Sequence, residues 1–461
     1  MLTRVLSSAI IGIDAIIVEV EVDQTKGLPA IHVVGLPEGA VREGKERVLS
    51  AIHNSPFELP PRKVTINLAP ADVRKEGSAY DLPIAVGMLA GNEYVPIPSL
   101  ESTLFVGELG LDGDLRPVRG VLPIVICARR AGLKRVIVPE ANSAEAGVVE
   151  GIEVVPASRL IDVVEILKGA SYARAKVNIA EVLAGAAPAA DVDFSEVKGQ
   201  EHAKRALEIA AAGQHNILMV GPPGAGKSML ARRLATILPP LTQHEALEVT
   251  KVHSVAGRLR ANQSLITLRP FRAPHHTISD AGLVGGGNSP RPGEASLAHH
   301  GVLFLDELPE FRRHVLDSLR QPIEEGSITI GRARMSVMYP ARFMLAAAMN
   351  PCPCGYFGDG HARCMCHTAQ VQRYMSRVSG PLLDRIDVHV ELAALNAREL
   401  TALEPAEPSA RIRERVVAAR ERQIRRFKDR EYVANAFMST RDVRTMCVLD
   451  EKGLSMMRNA I

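Results

Sequence analysis

At 461 residues, with 46% hydrophobic and 23% charged side chains, the chain is long enough for two to four domains, each with its own core. Aromatics amount to 4% and Trp is absent, which excludes extensive stacking of bases on Trp. A formal net charge of +3 over this length is no nucleic-acid footprint, so any such surface must be local.

No apolar run approaches the roughly 20 residues of a membrane-spanning helix. Residues 9–22 are apolar but carry Asp14, Glu19 and Glu21, and their alternation predicts a strand rather than a signal peptide. The expected location is the cytoplasm, where the six cysteines stay reduced.

Strand-like and helix-like runs alternate through residues 1–170. Residues 63–68 and 104–107 predict strands, residues 81–89 and 121–131 helices, and residues 135–139 another strand. That order predicts an α/β or α+β domain. An Ala- and Pro-rich stretch around residues 182–193 predicts a linker, placed at 171–192. A helix over 202–212 and a strand over 216–220 lead into the first chemical motif.

Gly221-Pro222-Pro223-Gly224-Ala225-Gly226-Lys227-Ser228 matches the phosphate-binding P-loop at every fixed position, between a predicted strand and a predicted helix over 229–238. The glycines let backbone N–H groups curl around phosphates, and the helix N-terminus adds favourable partial charge. Lys227 is expected at the β- and γ-phosphates of ATP, and the Ser228 hydroxyl on Mg²⁺. In Val302-Leu303-Phe304-Leu305-Asp306-Glu307 a buried strand delivers two carboxylates at its carboxyl end. Asp306 is expected to hold Mg²⁺ and Glu307 to polarise the attacking water. Lys227 and Asp306 lie 79 positions apart, more than one helix and one strand need, so an insert lies between them.

A further buried strand over 343–349 ends at Asn350, whose amide can reach the γ-phosphate or the water. Cys352, Cys354, Cys364 and Cys366 follow, with His361 and His367 beside them. Four thiols in a reducing compartment make a tetrahedral Zn²⁺ set, although C-x-C is a less usual half-site than C-x-x-C, and unligated thiols are the other reading. Cys127 and Cys447 are expected in the core. Gly380-Pro381-Leu382-Leu383-Asp384-Arg385 puts an Arg on a turn. It is either half of a structural Asp–Arg pair or an arginine finger on a neighbour's nucleotide. Residues 411–430 predict an Arg-rich helix, read as a solvated face or as a DNA contact. Residues 327–330 and 335–338 alternate like paired strands around Gly331-Arg332-Ala333-Arg334.

Taken together, these residues resemble the ComM/YifB family of magnesium-chelatase-like AAA+ ATPases over nearly the whole chain. The most specific strings are Lys198-Gly199-Gln200, Phe271-Arg272-Ala273-Pro274-His275-His276, Ser296-Leu297-Ala298-His299-His300-Gly301 and Ala347-Ala348-Met349-Asn350-Pro351-Cys352-Pro353-Cys354-Gly355. The resemblance implies an α/β P-loop AAA+ core over 193–395 and a partial helical lid over 396–461. It also implies a homo-hexamer in the ATP-bound state, Asn350 as sensor, and Arg385 as the finger acting in trans. By the same resemblance the insert and the hairpin face a central pore, and the motor works on single-stranded or branched DNA in branch migration and natural transformation. A chelatase-type motor subunit or a protein remodeller is the alternative. The family's late lid Arg has no match here, so the lid is expected to be incomplete.

Residues 1–170 resemble the Lon-protease type, through Lys75-Glu76-Gly77-Ser78-Ala79-Tyr80-Asp81-Leu82 and Gly107-Glu108-Leu109. Ala79 falls at the position of the catalytic Ser and Leu122 at that of the Lys. Neither can act as nucleophile or base, so this domain is expected to be structural or to bind a partner.

Overall fold

The computed structural model describes residues 1–186, 192–287, 290–332, 335–358, 364–394, 406–430 and 433–460, with residues 332, 335 and 460 described by backbone alone. The N-terminal part is a seven-stranded mixed sheet. In spatial order its strands are Ala30–Val34, Lys63–Ala69, Asp14–Thr25, Leu2–Ile11, Thr103–Phe105, Arg135–Pro139 and Glu153–Ala157. The apolar run at the N-terminus is therefore two strands of an antiparallel hairpin. Val18, Val20 and Val22 are buried on one face. Glu19 and Glu21 alternate to the other, where Arg4 meets them at 3.0 and 3.5 Å. The period of two settles which charges stay in water.

The linker is partly structured. Asn178 caps a short helix, Ile179–Ala184, by accepting from the N–H of Ala180 at 3.0 Å. Ile179, Val182 and Leu183 pack against Leu241, Ala246 and Leu265. The Ala-rich composition reads as loop, but its apolar members have a neighbour to cover.

The second unit is a five-stranded, all-parallel sheet in the order Phe271–Arg272, Val302–Leu305, Met344–Met349, Ile217–Val220, Val388–Glu391. Every residue of Val302–Leu305 and Met344–Met349 is buried. Leu303, Leu305, Leu345 and Ala347 join one apolar cluster, and Val302, Phe304, Met344, Ala346 and Ala348 join the other. Both faces of the sheet are thus covered, which is why these strands read as unbroken apolar runs.

The helix Ser409–Arg426 closes one side of this unit. Arg420 donates to the carbonyls of Ala211 and Ala212, each at 3.0 Å, at the end of the helix Glu201–Gly213. A guanidinium there satisfies carbonyls that the helix itself leaves open. Arg415 bridges Glu208 and Glu407 at 2.7 and 2.5 Å. Arg415 and Arg420 tie the helix to the core, while Arg411, Arg422, Arg425 and Arg426 are exposed on its other side, as a solvated face requires. Cys447, expected in the core, is exposed, and Cys127 is half-buried. Cys447 follows the short helix Thr440–Met446, most of whose residues face solvent.

Part of the insert docks on the N-terminal unit. The helix Gln243–Val255 packs on Val121–Arg130. The buried Glu145 carboxylate accepts from the Ser254 hydroxyl and from the N–H of Leu122. Ser254 O accepts from the N–H of Gly120 at 3.1 Å, and Lys251 meets Asp14 at 2.7 Å.

Candidate nucleotide site at the carboxyl ends of the parallel sheet

The strand Ile217–Val220 ends in Gly221, and the helix Lys227–Ile237 starts six residues later. The chain turns between them with Gly224 at φ +79° and Gly226 at φ +90°, a region L side chains rarely enter. A Cβ on Gly221 would sit 2.6 Å from the carbonyl oxygen of Leu392. Pro222, Pro223 and Ala225 fill the rest of the loop, with Pro222 and Ala225 buried. Lys227 is 9% exposed. Its Nζ donates to the carbonyls of Gly221 at 2.6 Å and Pro222 at 2.9 Å, and to Asn350 Oδ1 at 3.0 Å. Burial pulls its pKa below the usual lysine value, and Asp306 opposes that. All three acceptors are neutral, so an incoming phosphate is the stronger partner for this ammonium.

Ser228 Oγ donates to Asp306 Oδ2 at 2.5 Å. The two groups expected to share Mg²⁺ are therefore adjacent, although 78 positions separate them. The other Asp306 oxygen accepts from the N–H of Glu307 at 2.9 Å. Glu307 has φ +53°, a conformation that is uncommon outside Gly and clusters at functional sites. Its carboxylate meets His276 Nδ1 at 3.2 Å. That ring is steadied by His275 at 4.1 Å and by the edge of Phe311 at 6.4 Å. His276 follows the outermost strand, Phe271–Arg272, while the P-loop strand lies on the other side of Val302–Leu305. Asp306 reaches inward and Glu307 is turned outward. The string around His276 is specific in the sequence, yet nothing local to it assigns His276 a role. The available clue was a His pair just beyond a strand next to the carboxylates.

Asn350 ends the strand Met344–Met349, between Val302–Leu305 and Ile217–Val220. Arg385 lies outside this cluster. It is 40% exposed, and its guanidinium pairs with Glu324 at 2.6 Å. Its backbone is fixed by Asn216, a residue the motifs did not point to. Asn216 Nδ2 donates to Arg385 O at 2.9 Å, and Asn216 Oδ1 accepts from the N–H of Leu345 at 2.8 Å.

The thiols of Cys352, Cys354, Cys364 and Cys366 lie within 4.8 Å of one another. His361 falls outside the described residues. His367 precedes the helix Thr368–Met375 and gives its N–H to Gln370 Oε1 at 3.0 Å. A second cluster, Glu248 with His299 and His300, has a different character. His299 Nδ1 accepts from the N–H of Arg342 at 3.0 Å, so its proton is on Nε2, which faces Glu248 at 3.6 Å. A metal at Nε2 would require a doubly deprotonated ring. Burial pushes the His299 pKa down to about 4, in keeping with a neutral structural imidazole.

In the N-terminal unit the Ser78 hydroxyl donates to Glu108, and the buried Lys75 ammonium to the carbonyl of Pro70. Neither partner of Ser78 nor of Lys75 forms a Ser–Lys dyad. Leu122, at the expected Lys position, is fully buried.

Asn216→Ala removes both side-chain hydrogen bonds and leaves the buried Leu345 N–H open. The expected loss is about 1–3 kcal/mol of stability, measured by urea unfolding. Nucleotide affinity is expected to change little, because Asn216 touches no P-loop residue.

Comparison with known proteins agrees with this geometry. The family described as magnesium chelatase, subunit ChlI, matches residues 193–400, the one described as subunit ChlI of Mg-chelatase matches 20–142, and the one described as magnesium chelatase, subunit ChlI C-terminal, matches 406–461. The chain is 43% identical to the Haemophilus influenzae protein named "Competence protein ComM", over 100% of this chain and 89% of that protein. It is 46% identical to Salmonella typhimurium YifB over 97% of this chain and 86% of that protein. The likeness to the magnesium-chelatase 38 kDa subunit of Cereibacter sphaeroides is 27% over 34% of this chain and 52% of that protein. With a P-loop, a facing acidic pair and full-length similarity of this degree, the chain belongs to the ComM/YifB family of magnesium-chelatase-like AAA+ ATPases.

Proposed function

We propose that this chain is an ATP-driven ring motor that acts on DNA, with six copies assembling in the ATP-bound state. The observation that carries the ATPase part is the convergence of Lys227, Ser228, Asp306 and Asn350 at the carboxyl ends of three neighbouring strands. Family membership implies ATP and Mg²⁺ as cofactors. In our reading Lys227 holds the β- and γ-phosphates, and Ser228 and Asp306 hold Mg²⁺. Glu307 polarises the water and Asn350 senses the γ-phosphate. The Arg385 guanidinium is exposed and pairs with the surface Glu324, which leaves it able to exchange that partner for a neighbour's phosphate. Zn²⁺ at the four thiols is the third cofactor we propose.

The DNA reading rests on the resemblance to a protein named for competence and on the hairpin Ser327–Arg332 with Met335–Pro340. The sequence joining its strands carries Arg332 and Arg334. Residues 333 and 334 lie outside the described residues, and six copies of such a turn would line a pore with cations suited to phosphates. A chelatase-type motor or a protein remodeller is the second reading. It is favoured by the likeness to the chelatase subunit, which extends over about a third of the chain. We read the N-terminal unit as a Lon-like module without proteolytic chemistry, because Ser78 and Lys75 bind other groups.

Glu307→Gln protein loaded with ATP is expected to form hexamers that bind DNA, with affinity falling steeply as salt is raised. Sizing and DNA titration in one salt series check this. Hexamers indifferent to DNA would favour the second reading, and Lys227→Ala, which cannot hold ATP, serves as the blank. Arg385→Ala is expected to bind ATP and assemble, yet hydrolyse about 10³-fold more slowly or worse. Normal turnover would remove its assigned role. His276→Ala releases the outward-held Glu307 carboxylate, so basal kcat is expected to rise with KM for ATP unchanged. A fall in kcat would show instead that His276 orients Glu307 for catalysis.

A further inference from the structure

The four cysteines are arranged for one ion. Tetrahedral zinc with bonds of about 2.3 Å to sulfur places its ligand atoms about 3.8 Å apart. Here Cys352 Sγ lies 3.3 Å from Cys354 Sγ and 3.8 Å from Cys364 Sγ, and Cys354 lies 3.6 Å from Cys364. The full set, Cys366 included, falls within 4.8 Å. The pairs are too far apart for a disulfide, whose sulfurs sit about 2.05 Å apart. They are too tightly gathered around one centre for a multi-iron cluster, whose thiolates cap separate metal atoms. Backbone groups also hydrogen-bond the sulfurs of Cys354, Cys364 and Cys366, and N–H donors of that kind favour the thiolate form that a metal needs. Four thiolates around Zn²⁺ are held by four strong bonds.

The position of the cluster gives it a consequence for the nucleotide. Cys352 is fully buried and stands two residues after Asn350, the group that holds the Lys227 ammonium at 3.0 Å. Gly355, one residue past Cys354, turns with φ +88° directly against the P-loop. A Cβ there would lie 2.6 Å from Cδ of Pro223 and 3.8 Å from Cγ of Asn350. On the far side, Cys366 leads into the helix Thr368–Met375, whose Tyr374 hydrogen-bonds the backbone of Asn350. Both ends of the cysteine loop therefore bear on the same few atoms. The cysteines come as one pair from each end, so an ion binding all four closes the loop between them.

We infer that a zinc ion held by Cys352, Cys354, Cys364 and Cys366 braces Asn350 and the P-loop at Pro223, so that metal occupancy sets the affinity for ATP. On this account the ion performs no chemistry on the nucleotide. It acts by fixing the Asn350 amide and the wall of the phosphate loop, as metal binding fixes other loops that lack order without it. The inference rests on the P-loop binding ATP and is independent of any action on DNA.

The test uses the full wild-type chain, so that no variant need fold. Zinc per chain is measured by mass spectrometry on protein purified without chelator, and Co²⁺ is substituted to read the visible bands of a tetrahedral thiolate site. Affinity for a fluorescent ATP analogue is then measured before zinc removal, after removal with a chelator, and after zinc is returned. The expected result is about one zinc per chain, Co²⁺–thiolate bands, and ATP affinity that falls about tenfold or more on removal and recovers on return. Cys354→Ser combined with Cys366→Ser is expected to reproduce the loss without recovery. Protein that carries no zinc and gives no Co²⁺–thiolate bands would overturn the site. Zinc that can be removed and returned with ATP affinity unchanged would overturn the brace. Protein that takes zinc but binds no ATP in any state would overturn the nucleotide reading, and the brace with it, while the metal stoichiometry would identify that failure as distinct.

Discussion

The Lys227 ammonium, buried between two P-loop carbonyls and the Asn350 amide, is the interaction on which the rest of the site depends. A cation with little access to water needs partners, and here they come from two separate stretches of chain, the P-loop and the end of the strand Met344–Met349. To supply them the sheet must set the strand ending at Asn350 directly beside the strand ending at Gly221. The all-alanine stretch Ala346, Ala347 and Ala348 forms the middle of that strand and is fully buried. Small side chains there leave room on both faces of the sheet for the larger residues of the flanking layers. The acidic strand lies on the other side of the Asn350 strand, close enough for Asp306 to reach Ser228.

Around this centre the structure shows two kinds of support. One is apolar, the two clusters on either face of the parallel sheet. The other is polar and connects units far apart in sequence. Arg420 satisfies the carbonyl end of Glu201–Gly213, Asn216 ties the Arg385 turn to the sheet, and Glu145 joins the N-terminal unit to the insert through Ser254. The helix Gln243–Val255 takes part at two places, its middle and its end. Ser254 meets the N-terminal unit, and Glu248 accepts from His300 at 2.7 Å just before the acidic strand begins. One helix thus contacts both the N-terminal unit and the residues just before the strand that carries Asp306 and Glu307.

The two carboxylates at the end of that strand have separate surroundings, and this divides their work. Asp306 is engaged with Ser228 and faces the P-loop. Glu307, one residue on, is thrown outward by a left-handed backbone and caught by His276. Adjacent residues on one strand are directed apart by the turn that follows it. His276 can therefore hold one acid while Ser228 engages the other. Among the described residues no helix is long and apolar enough to cross a membrane, and the polar connections described here lie between parts of one folded chain.

The sequence by itself determined the P-loop, the acidic pair, the parallel strands around them and the four cysteines. Each is a local pattern, a fixed spacing or an apolar period that short-range chemistry enforces. It also carried the family, because whole strings such as Phe271-Arg272-Ala273-Pro274-His275-His276 are specific without any geometry. Only the tertiary structure decided that His276 faces Glu307, that Asn216 fixes Arg385, and that Arg420 is buried against the end of another helix. It also decided that Cys447 is exposed and that Ile179–Ala184 is a packed helix within an apparent linker. For His276, Asn216, Arg420 and the helix Ile179–Ala184 the deciding partner lies tens or hundreds of positions away. A side chain's local pattern states what it can bind, but the fold alone settles which partner arrives within about 3 Å, the reach of a hydrogen bond.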